Sequence, residues 1–290
     1  MARARATLPA LLLALPAVLV FGVFAWWPLV RGLVLAGQES RAGADPRWVG
    51  LDNVTYVLAD PLVATAALNT LAYTGLALVV GFPLPVVLAV VLTELRRTRS
   101  LATTLVYLPV VMPPAVAVLL WRTLLDPADS GVLNTLLARV GVEPQPWLAS
   151  TTTALPAVVV AATWASAGSA VVVYVAALSS VRTELYEAAE LDGAGVLARV
   201  RHVTLPHLRG VLLVMLLLQL IGTAQAFTEP FLLTRGGPQR STTTLLMVIR
   251  EYAVVRGDLG AAAALGALLA LSLVAVSVAY WRLTRRWGSA

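Results

Sequence analysis

Cysteine and lysine are both absent from this chain of 290 residues. Without cysteine, the chain cannot form a disulfide, bind a metal through thiolates or use a cysteine nucleophile. Without lysine, it cannot contain the phosphate-binding loop Gly-x-x-x-x-Gly-Lys-Ser/Thr, so it has no ATPase site of that type. The two histidines, His202 and His207, lie near a charged segment, and we interpret both as solvated or interfacial side chains. The sequence thus predicts no catalytic residue, no metal site and no bound cofactor.

Charged residues are also scarce, since they make up 12% of the chain against 59% hydrophobic residues. A soluble domain carries about a quarter charged residues, so much of this surface must face lipid rather than water. The 21 basic residues are all arginines, and they flank apolar runs instead of forming a basic stripe with interleaved aromatics. The sequence therefore predicts a membrane protein that binds no nucleic acid. The arginine-only, alanine- and valine-rich usage is typical of a GC-rich bacterial genome.

Six apolar segments are long enough to cross a bilayer, which takes about 20 residues. They span residues 8–35, 64–94, 101–125, 154–178, 208–234 and 259–281. The sequence therefore predicts an all-α membrane protein with one transmembrane domain over residues 1–290 and six transmembrane helices.

The first segment also has features of a signal peptide, because Arg3 and Arg5 precede an apolar run. That run continues through Trp26 and Trp27, which is longer than the apolar region of a signal peptide. We therefore favour an uncleaved helix, with the two tryptophans at the membrane interface.

The placement of the arginines predicts the orientation of the chain, because cytoplasmic segments are enriched in them. With the N-terminus inside, twelve arginines and five acidic residues are cytoplasmic, and the remaining nine arginines accompany ten acidic residues. The cytoplasmic arginines are Arg3, Arg5, Arg96, Arg97, Arg99, Arg182, Arg199, Arg201, Arg209, Arg282, Arg285 and Arg286. Both termini are therefore predicted to be cytoplasmic.

Prolines interrupt the second and third segments, at Pro83 and Pro85 and at Pro109, Pro113 and Pro114. Proline removes a backbone N–H, so we expect these two helices to be kinked.

Small residues recur every four positions in the fourth and sixth segments. They are Ala162, Ser166 and Ala170, and Ala262, Gly266 and Ala270. Such spacing predicts faces where helices pack closely, although alanine-rich composition alone also produces it.

The loops between the segments contain further elements. Residues 131–140 read as a short amphipathic helix, and Gly236-Gly237-Pro238 as a turn. Residues 244–255 read as an interfacial helix that leads into the sixth segment.

A polar loop at residues 179–207 separates two strongly apolar segments. Thr183 can cap a helix that starts at Glu184, and Asp192-Gly193 is a helix stop signal. A second helix is expected at about residues 195–204, and Pro206 disfavours helix at Leu205. The pattern indicates a short amphipathic lever that a soluble partner could grip, with an ordinary charged loop as the alternative.

The residues of this loop also match a known signature at its spacing. Glu187-Ala188-Ala189, Asp192-Gly193-Ala194 and Leu205-Pro206 resemble the cytoplasmic coupling loop, or EAA loop, of bacterial ABC importer permeases. Val203 stands where that family favours isoleucine, and Gly210 stands where many members have proline.

Three further strings resemble the MalF- and UgpA-like carbohydrate branch of this family. They are Val49-Gly50-Leu51-Asp52-Asn53, Leu68-Asn69-Thr70 and Leu233-Thr234-Arg235-Gly236-Gly237-Pro238. With the loop, they extend the resemblance over nearly the whole chain.

The resemblance implies a type I ABC importer permease in a bacterial plasma membrane, without enzymatic activity of its own. It implies a second permease subunit that is a related, distinct chain, an extracytoplasmic solute-binding protein, and two cytoplasmic ATPase subunits that use ATP and Mg²⁺. The solute is expected to be a sugar or related polyol. The residues expected to couple to the ATPase are Glu187, Ala188, Ala189, Asp192, Gly193, Ala194, Leu205 and Pro206.

Polar residues within the apolar segments suggest where the solute passes, because polar groups inside a membrane are costly. Gln219, Gln225 and Glu229 fall at helical spacing and predict a polar stripe on the fifth span. Tyr107 and Trp164 could stack on a sugar ring, and Arg122 lies near the outer end of the third span. Helix–helix hydrogen bonding, packing or an interfacial position are alternative explanations for each of these residues.

Other functions remain open at this point. One is an ABC permease for glycerol phosphate, an amino acid or a peptide. Another is a secondary transporter or channel, although no inverted repeat is evident. A membrane-embedded enzyme is poorly supported by a chain with no cysteine and two histidines in a loop.

Overall fold

The structure is a computed structural model that describes residues 13–41, 45–95 and 98–285. These residues are mostly helical, and the strands among them form one antiparallel pair of two residues each, β1 (Gln38–Glu39) and β2 (Arg47–Trp48). The helices are α1 (Leu13–Ala36), α2 (Asp52–Ala59), α3 (Pro61–Glu94), α4 (Arg99–Val111), α5 (Pro114–Leu124), α6 (Val132–Arg139), α7 (Ala154–Leu178), α8 (Thr183–Leu191), α9 (Val196–Ala224), α10 (Thr228–Thr234), α11 (Leu245–Arg250) and α12 (Leu259–Thr284).

Five of these helices are long and apolar enough to cross a membrane within the described residues: α1, α3, α7, α9 and α12. They correspond to five of the six predicted spans, and residues 8–12 of the first span lie outside the described residues. Both predicted loop helices also exist. Residues 131–140 contain α6, and residues 244–255 contain α11, which continues as a π-helical turn over Glu251–Val255.

The predicted third span, residues 101–125, is not a single kinked helix. Helices α4 and α5 meet at an angle of 100°. Pro113 and Pro114 both lack the N–H that an unbroken helix needs, and Met112 and Pro113 take extended conformations with ψ of 134° and 136°. The bent pair gives a sixth candidate span only if it is counted as one.

The predicted fifth span, residues 208–234, is also wrong as a single helix. Helix α9 starts earlier, at Val196, and ends at Ala224, and α10 begins only at Thr228. Pro230 lies in the first turn of α10, where its missing N–H costs nothing, whereas inside a continuous helix it would break the hydrogen-bond ladder.

Three of the prolines inside long helices each follow a π-helical turn, and the helix continues past them. The pairs are Gly22–Trp26 with Pro28, Ala77–Gly81 with Pro83, and Val200–Thr204 with Pro206. In the second pair, the Phe82 N–H donates to the carbonyl of Ala77, five residues back, at 3.1 Å. The extra residue in the π-helical turn displaces the backbone carbonyl of the preceding turn, with which the proline ring would otherwise clash. The predicted helix boundary at Leu205 is therefore wrong, since α9 runs through it.

The chain forms two compact units, and the first comprises Met1–Val63 and Val248–Leu271. Within its described part, the side-chain amide of Asn53 donates to the carbonyls of Ala36 at 2.9 Å and Gln38 at 2.8 Å. Asn53 belongs to the first of the three strings that resemble carbohydrate permeases. It fixes α2 to the end of α1.

A second polar network in this unit centres on Asp60. The Tyr252 hydroxyl donates to Asp60 Oδ2 at 2.6 Å, and the Leu62 N–H donates to Oδ1 at 2.8 Å. Arg256 lies 3.4 Å from the same carboxylate and stacks 4.6 Å from the centre of the Tyr252 ring. The network joins the start of α3 to the segment that precedes α12.

This network should make the first unit sensitive to acid. The Tyr252 hydroxyl, aided by Leu62 and Arg256, holds the pKa of Asp60 below its usual 3.8 against the opposing effect of burial. A carboxyl with a lowered pKa stabilises the fold at neutral pH, and the stabilisation is lost as pH falls from about 4 through the folded pKa. We expect Asp60→Asn to lose about 1–3 kcal/mol at pH 7 and to remove this acid dependence.

Amide hydrogen exchange over residues 52–63 between pH 7 and pH 3, corrected for the intrinsic exchange rate, measures this effect. The exposed carboxylate of Asp52 provides the control. Asp52→Asn should leave the acid dependence as it is in the parent protein. Equal pH profiles for Asp60→Asn and the parent would contradict the assignment.

The second unit comprises Ala64–Met247 and Ser272–Ala290. In its described part, one apolar cluster joins Tyr73 and Val158 with Leu233, and another joins Tyr174 with Leu208. Helix α7 contributes to both clusters, so it is the central helix of this unit.

The other two strings that resemble the family meet in this unit. The side-chain amide of Asn69 donates to the carbonyls of Arg240 at 2.7 Å and Thr243 at 3.0 Å. The hydroxyl of Thr70 accepts from the Leu245 N–H at 3.1 Å. The turn after α10 is thereby fixed to α3.

The predicted small-residue stripes have different environments. Ala162, Ser166 and Ala170 line a cavity, whereas Gly168 on the same helix packs directly against the backbone of α4. On α12, a Cβ placed on Gly266 would meet no atom within 4 Å.

Candidate functional site

The matched loop folds as an elbow, which we define as residues 183–206. Helix α8 begins at Thr183, with Arg182 at the N-cap position and no side-chain cap, so the predicted cap by Thr183 is wrong. The predicted stop is confirmed, because Asp192 is the C-cap and Gly193 has φ of +76°. The Ala194 N–H closes the end of the helix by donating to the carbonyl of Ala189 at 2.9 Å.

Two contacts brace the elbow from within. The hydroxyls of Tyr186 and Thr204 form a hydrogen bond of 3.0 Å, and Thr204 is buried. The Arg199 guanidinium pairs with the Glu190 carboxylate. These contacts link α8 to the first turns of α9, so the two helices of the elbow should move together.

Helix α8 presents one acid to solvent that has no ion pair within the described residues. Glu184 pairs with Arg182 at 3.4 Å, and Glu190 pairs with Arg199. Within the described residues Glu187 forms no ion pair, and its side chain is exposed. Of the three acids on α8, Glu187 is therefore the one available to a cation on a partner.

The two most exposed leucines of the elbow were not selected from the sequence. Leu191 is 89% exposed and Leu197 is 81% exposed. Apolar side chains so placed favour contact with another protein. Their position on either side of the Asp192-Gly193 stop is the signal that could have identified them.

The remaining residues of the matched signature lie on or beside this surface. Ala188 is exposed, and Ala189 and Ala194 are half-buried. Leu205 and Pro206 are exposed near the start of α9.

A cavity of about 430 Å³ is lined by α3, α7, α9 and the segment that joins α9 to α10. Gln219, Gln225 and Glu229 all line it, together with Tyr73 and Ser166. A second cavity of about 190 Å³ faces the break between α4 and α5 and also has Glu229 in its wall. Glu229 therefore borders both spaces.

The three polar residues reach the cavity from different elements, so the predicted stripe on one helix face is wrong. Gln219 is on α9 and Gln225 is its C-cap, whereas Glu229 is on α10. The buried Thr244 hydroxyl donates to the carbonyl of Ala226 at 2.7 Å and holds the connecting segment in place.

Gln219 has a structural partner. Its side-chain amide donates to the carbonyl of Ala77 at 2.7 Å, in the π-helical turn of α3. It thus joins two walls of the cavity, as the helix–helix alternative for this residue expected. The Gln225 amide donates within its own helix, to Ile221 at 3.3 Å.

The other candidate contacts lie apart from these three. Tyr107 on α4 lines neither cavity. Trp164 packs edge-to-face on Trp121, with ring centres 5.9 Å apart, and lines a separate apolar space. The Arg122 guanidinium donates to the carbonyl of Leu233 at 3.4 and 3.3 Å.

A helical membrane domain with an exposed, internally braced elbow and a cavity that contains a few polar side chains is typical of one class of protein, the membrane subunit of a transport system. Residues 81–289 match the family described as "Binding-protein-dependent transport system inner membrane component". The chain belongs to this family. It is therefore a multi-pass plasma-membrane protein of a transport system that works with a binding protein, as the resemblance predicted.

The similarity to a known relative supports this family assignment. The chain is 31% identical to the arabinooligosaccharides transport system permease protein AraP of Bacillus subtilis, over 91% of this chain and 84% of the relative.

Two solved structures also match the fold over nearly its full length. One is a bacterial ABC transporter involved in the import of the acidic polysaccharide alginate, with a TM-score of 0.84, 27% identity and coverage of 98% of this chain and 96% of the other. The second is the bacterial alginate transporter in complex with an alginate pentasaccharide-bound periplasmic protein, with a TM-score of 0.85, 25% identity and coverage of 99% and 97%. The predicted ABC importer permease fold is confirmed.

Proposed function

We propose that this chain is the translocation subunit of an ATP-driven importer for a sugar or related polyol. The observation that carries the proposal is the continuity of α9, whose 29 residues run from the elbow to the cavity without a break. Such a helix is about 43 Å long at 1.5 Å per residue. It connects the surface suited to a partner with the surface suited to a solute.

The partners follow from the relatives. The permease AraP serves arabinooligosaccharide transport, and the alginate transporter binds a periplasmic protein that carries the sugar. By the same arrangement, this chain pairs with a second, related permease subunit and receives solute from an extracytoplasmic binding protein. Two cytoplasmic ATPase subunits supply ATP hydrolysis with Mg²⁺, since a chain without lysine has no phosphate loop for it.

The elbow is the docking point for an ATPase subunit, and it lies in the cytoplasm together with both chain termini. Leu191 and Leu197 become buried in a cleft of the ATPase, and the Glu187 carboxylate pairs with a cationic side chain there. The Tyr186–Thr204 and Glu190–Arg199 braces then transmit any displacement of α8 to α9.

Movement of α9 changes access to the cavity. Because the Gln219 amide links α9 to the π-helical turn of α3, a shift of α9 also pulls on the opposite cavity wall. Two discrete arrangements of these helices, biased by the nucleotide state of the ATPase, are sufficient for alternating access.

The cavity assignment predicts that a double variant, Gln225→Ala with Glu229→Ala, lowers sugar uptake at least about tenfold, equivalent to about 1.4 kcal/mol or more. The reason is that both polar groups are removed from the wall that faces the solute. The measurement is uptake of radiolabelled sugar by cells that express the complete transporter, with subunit assembly checked by co-purification.

The matched control truncates Glu143 and Gln145, an acid and an amide between α6 and α7 whose side chains line neither cavity. This control should transport normally. Normal uptake by the Gln225/Glu229 variant, with assembly intact, would refute the assignment of the pathway to this cavity.

A further inference from the structure

We infer that the cavity accepts uncharged sugars and rejects sugars that carry a carboxylate or phosphate group, and that Glu229 sets this preference. The inference rests on the proposed function, because it names the class of solute for the same cavity. Membership of the family leaves this point open, since one relative serves arabinooligosaccharides and another imports an acidic polysaccharide.

The charge of the cavity wall is the first observation. Glu229 lines both the 430 Å³ and the 190 Å³ space, and every other residue described in the two walls is uncharged. No arginine takes part in either wall within the described residues. From the described residues of this chain, a solute in these spaces therefore meets a negative charge and no positive one.

The lack of a counter-charge is the second observation. Within the described ranges Glu229 forms no ion pair, and Arg122 on α5 donates to the carbonyl of Leu233 instead. An unpaired carboxylate within a membrane domain is costly and marks a functional position. A second anion beside it would be repelled, because no cationic side chain in the described walls offsets the charge of Glu229.

The neutral groups of the wall complement hydroxyls. A carboxylate accepts short, strong hydrogen bonds from hydroxyl donors, and Ser166, Thr228 and Gln225 add neutral donors and acceptors nearby. Tyr73 and Phe227 also line the larger space and add apolar, aromatic surface to its wall. Its volume of about 430 Å³ falls within the range of small-molecule sites.

The test measures binding of matched sugar pairs that differ only by a carboxylate at C6. The permease–ATPase complex is purified through this chain, without the solute-binding protein, and placed in lipid nanodiscs. Glucose with glucuronate and galactose with galacturonate are titrated at neutral pH and followed by saturation-transfer NMR. We expect each neutral sugar to bind at least about tenfold more tightly than its carboxylate.

In the variant Glu229→Gln, the affinity for each neutral sugar should exceed the affinity for its carboxylate by only about threefold or less. The change should come mainly from tighter binding of the carboxylate sugars. Glu143→Gln, which removes a charge away from the cavity, should keep the parent ratio. The inference would be overturned, and the proposed function left standing, by either of two results. One is equal affinity of the parent protein for both sugars of each pair, and the other is an affinity ratio in Glu229→Gln that equals the parent ratio. Failure of all four sugars to bind would overturn the proposed function and the inference with it.

Discussion

Reversing the charge of Glu187 to arginine is expected to reduce solute-stimulated ATP hydrolysis and uptake by the assembled transporter at least about tenfold. Glu187 is the acid on α8 without an ion pair in the described structure, so an ATPase subunit is its available partner. Arginine would place a like charge against that partner's cation, which costs several kcal/mol in an interface. The measurement is ATP hydrolysis by the purified complex with and without the loaded binding protein.

A control variant at Glu143 and a pair of variants at Gly193 separate a loss of docking from a loss of folding. Glu143→Arg makes the same charge change outside the elbow and should leave stimulation as in the parent protein. Gly193→Val and Gly193→Asn test the shape of the elbow, since Gly193 has φ of +76° and a Cβ there would meet no atom within 4 Å. Valine should impair stimulation far more than asparagine, which tolerates this conformation. Full stimulation in Glu187→Arg would exclude a role for this carboxylate in docking.

Replacing Gly168 by alanine is expected to disrupt the second unit, with a loss of about 3 kcal/mol or more. A Cβ at this position would lie 2.5 Å from the carbonyl oxygen of Val106, 2.9 Å from a methyl group of Val110 and 3.0 Å from the Cα of Tyr107. Two of these atoms belong to the backbone of α4, so the clash can be relieved only by separating α4 from α7.

Thermal unfolding of the detergent-solubilised protein measures this loss, together with the yield of the assembled complex. Gly266→Ala on α12 is the matched control, because its Cβ would contact nothing within 4 Å and alanine favours helix. It should be neutral or slightly stabilising. A Gly168→Ala protein as stable as the parent would show that α4 and α7 are not packed as described.

The elbow and the long helices could be predicted because their determinants are local. Apolar length identified α1, α3, α7 and α12, and the Asp192-Gly193 stop appears where the sequence placed it. The spacing of the EAA string identified the family before any geometry was known.

Proline was the main source of error, because its effect depends on the turn before it. At Pro83 and Pro206 a π-helical turn absorbs the missing hydrogen bond, and the helix continues. At Pro113–Pro114 two consecutive prolines leave no such solution, and the chain turns by 100°. The sequence alone does not distinguish a proline through which a helix continues from a pair of prolines that ends it.

The cavity could be predicted only in part. Helical spacing selected Gln219, Gln225 and Glu229, and the structure brings all three to one space, but from separate elements held by Thr244. The Gln219–Ala77 bond joins residues far apart in sequence, and so does the Tyr252–Asp60 bond in the other unit. No local sequence pattern predicts hydrogen bonds between residues so far apart in the chain.

The central claim is that ATP hydrolysis by separate subunits, acting through the elbow and α9, drives passage of the solute. It is tested most directly by solute uptake into proteoliposomes that contain this chain, its permease partner and the loaded binding protein, with and without the ATPase subunits. The account predicts accumulation only when the ATPase subunits and hydrolysable ATP are present. Uptake at the full rate without the ATPase subunits would contradict it.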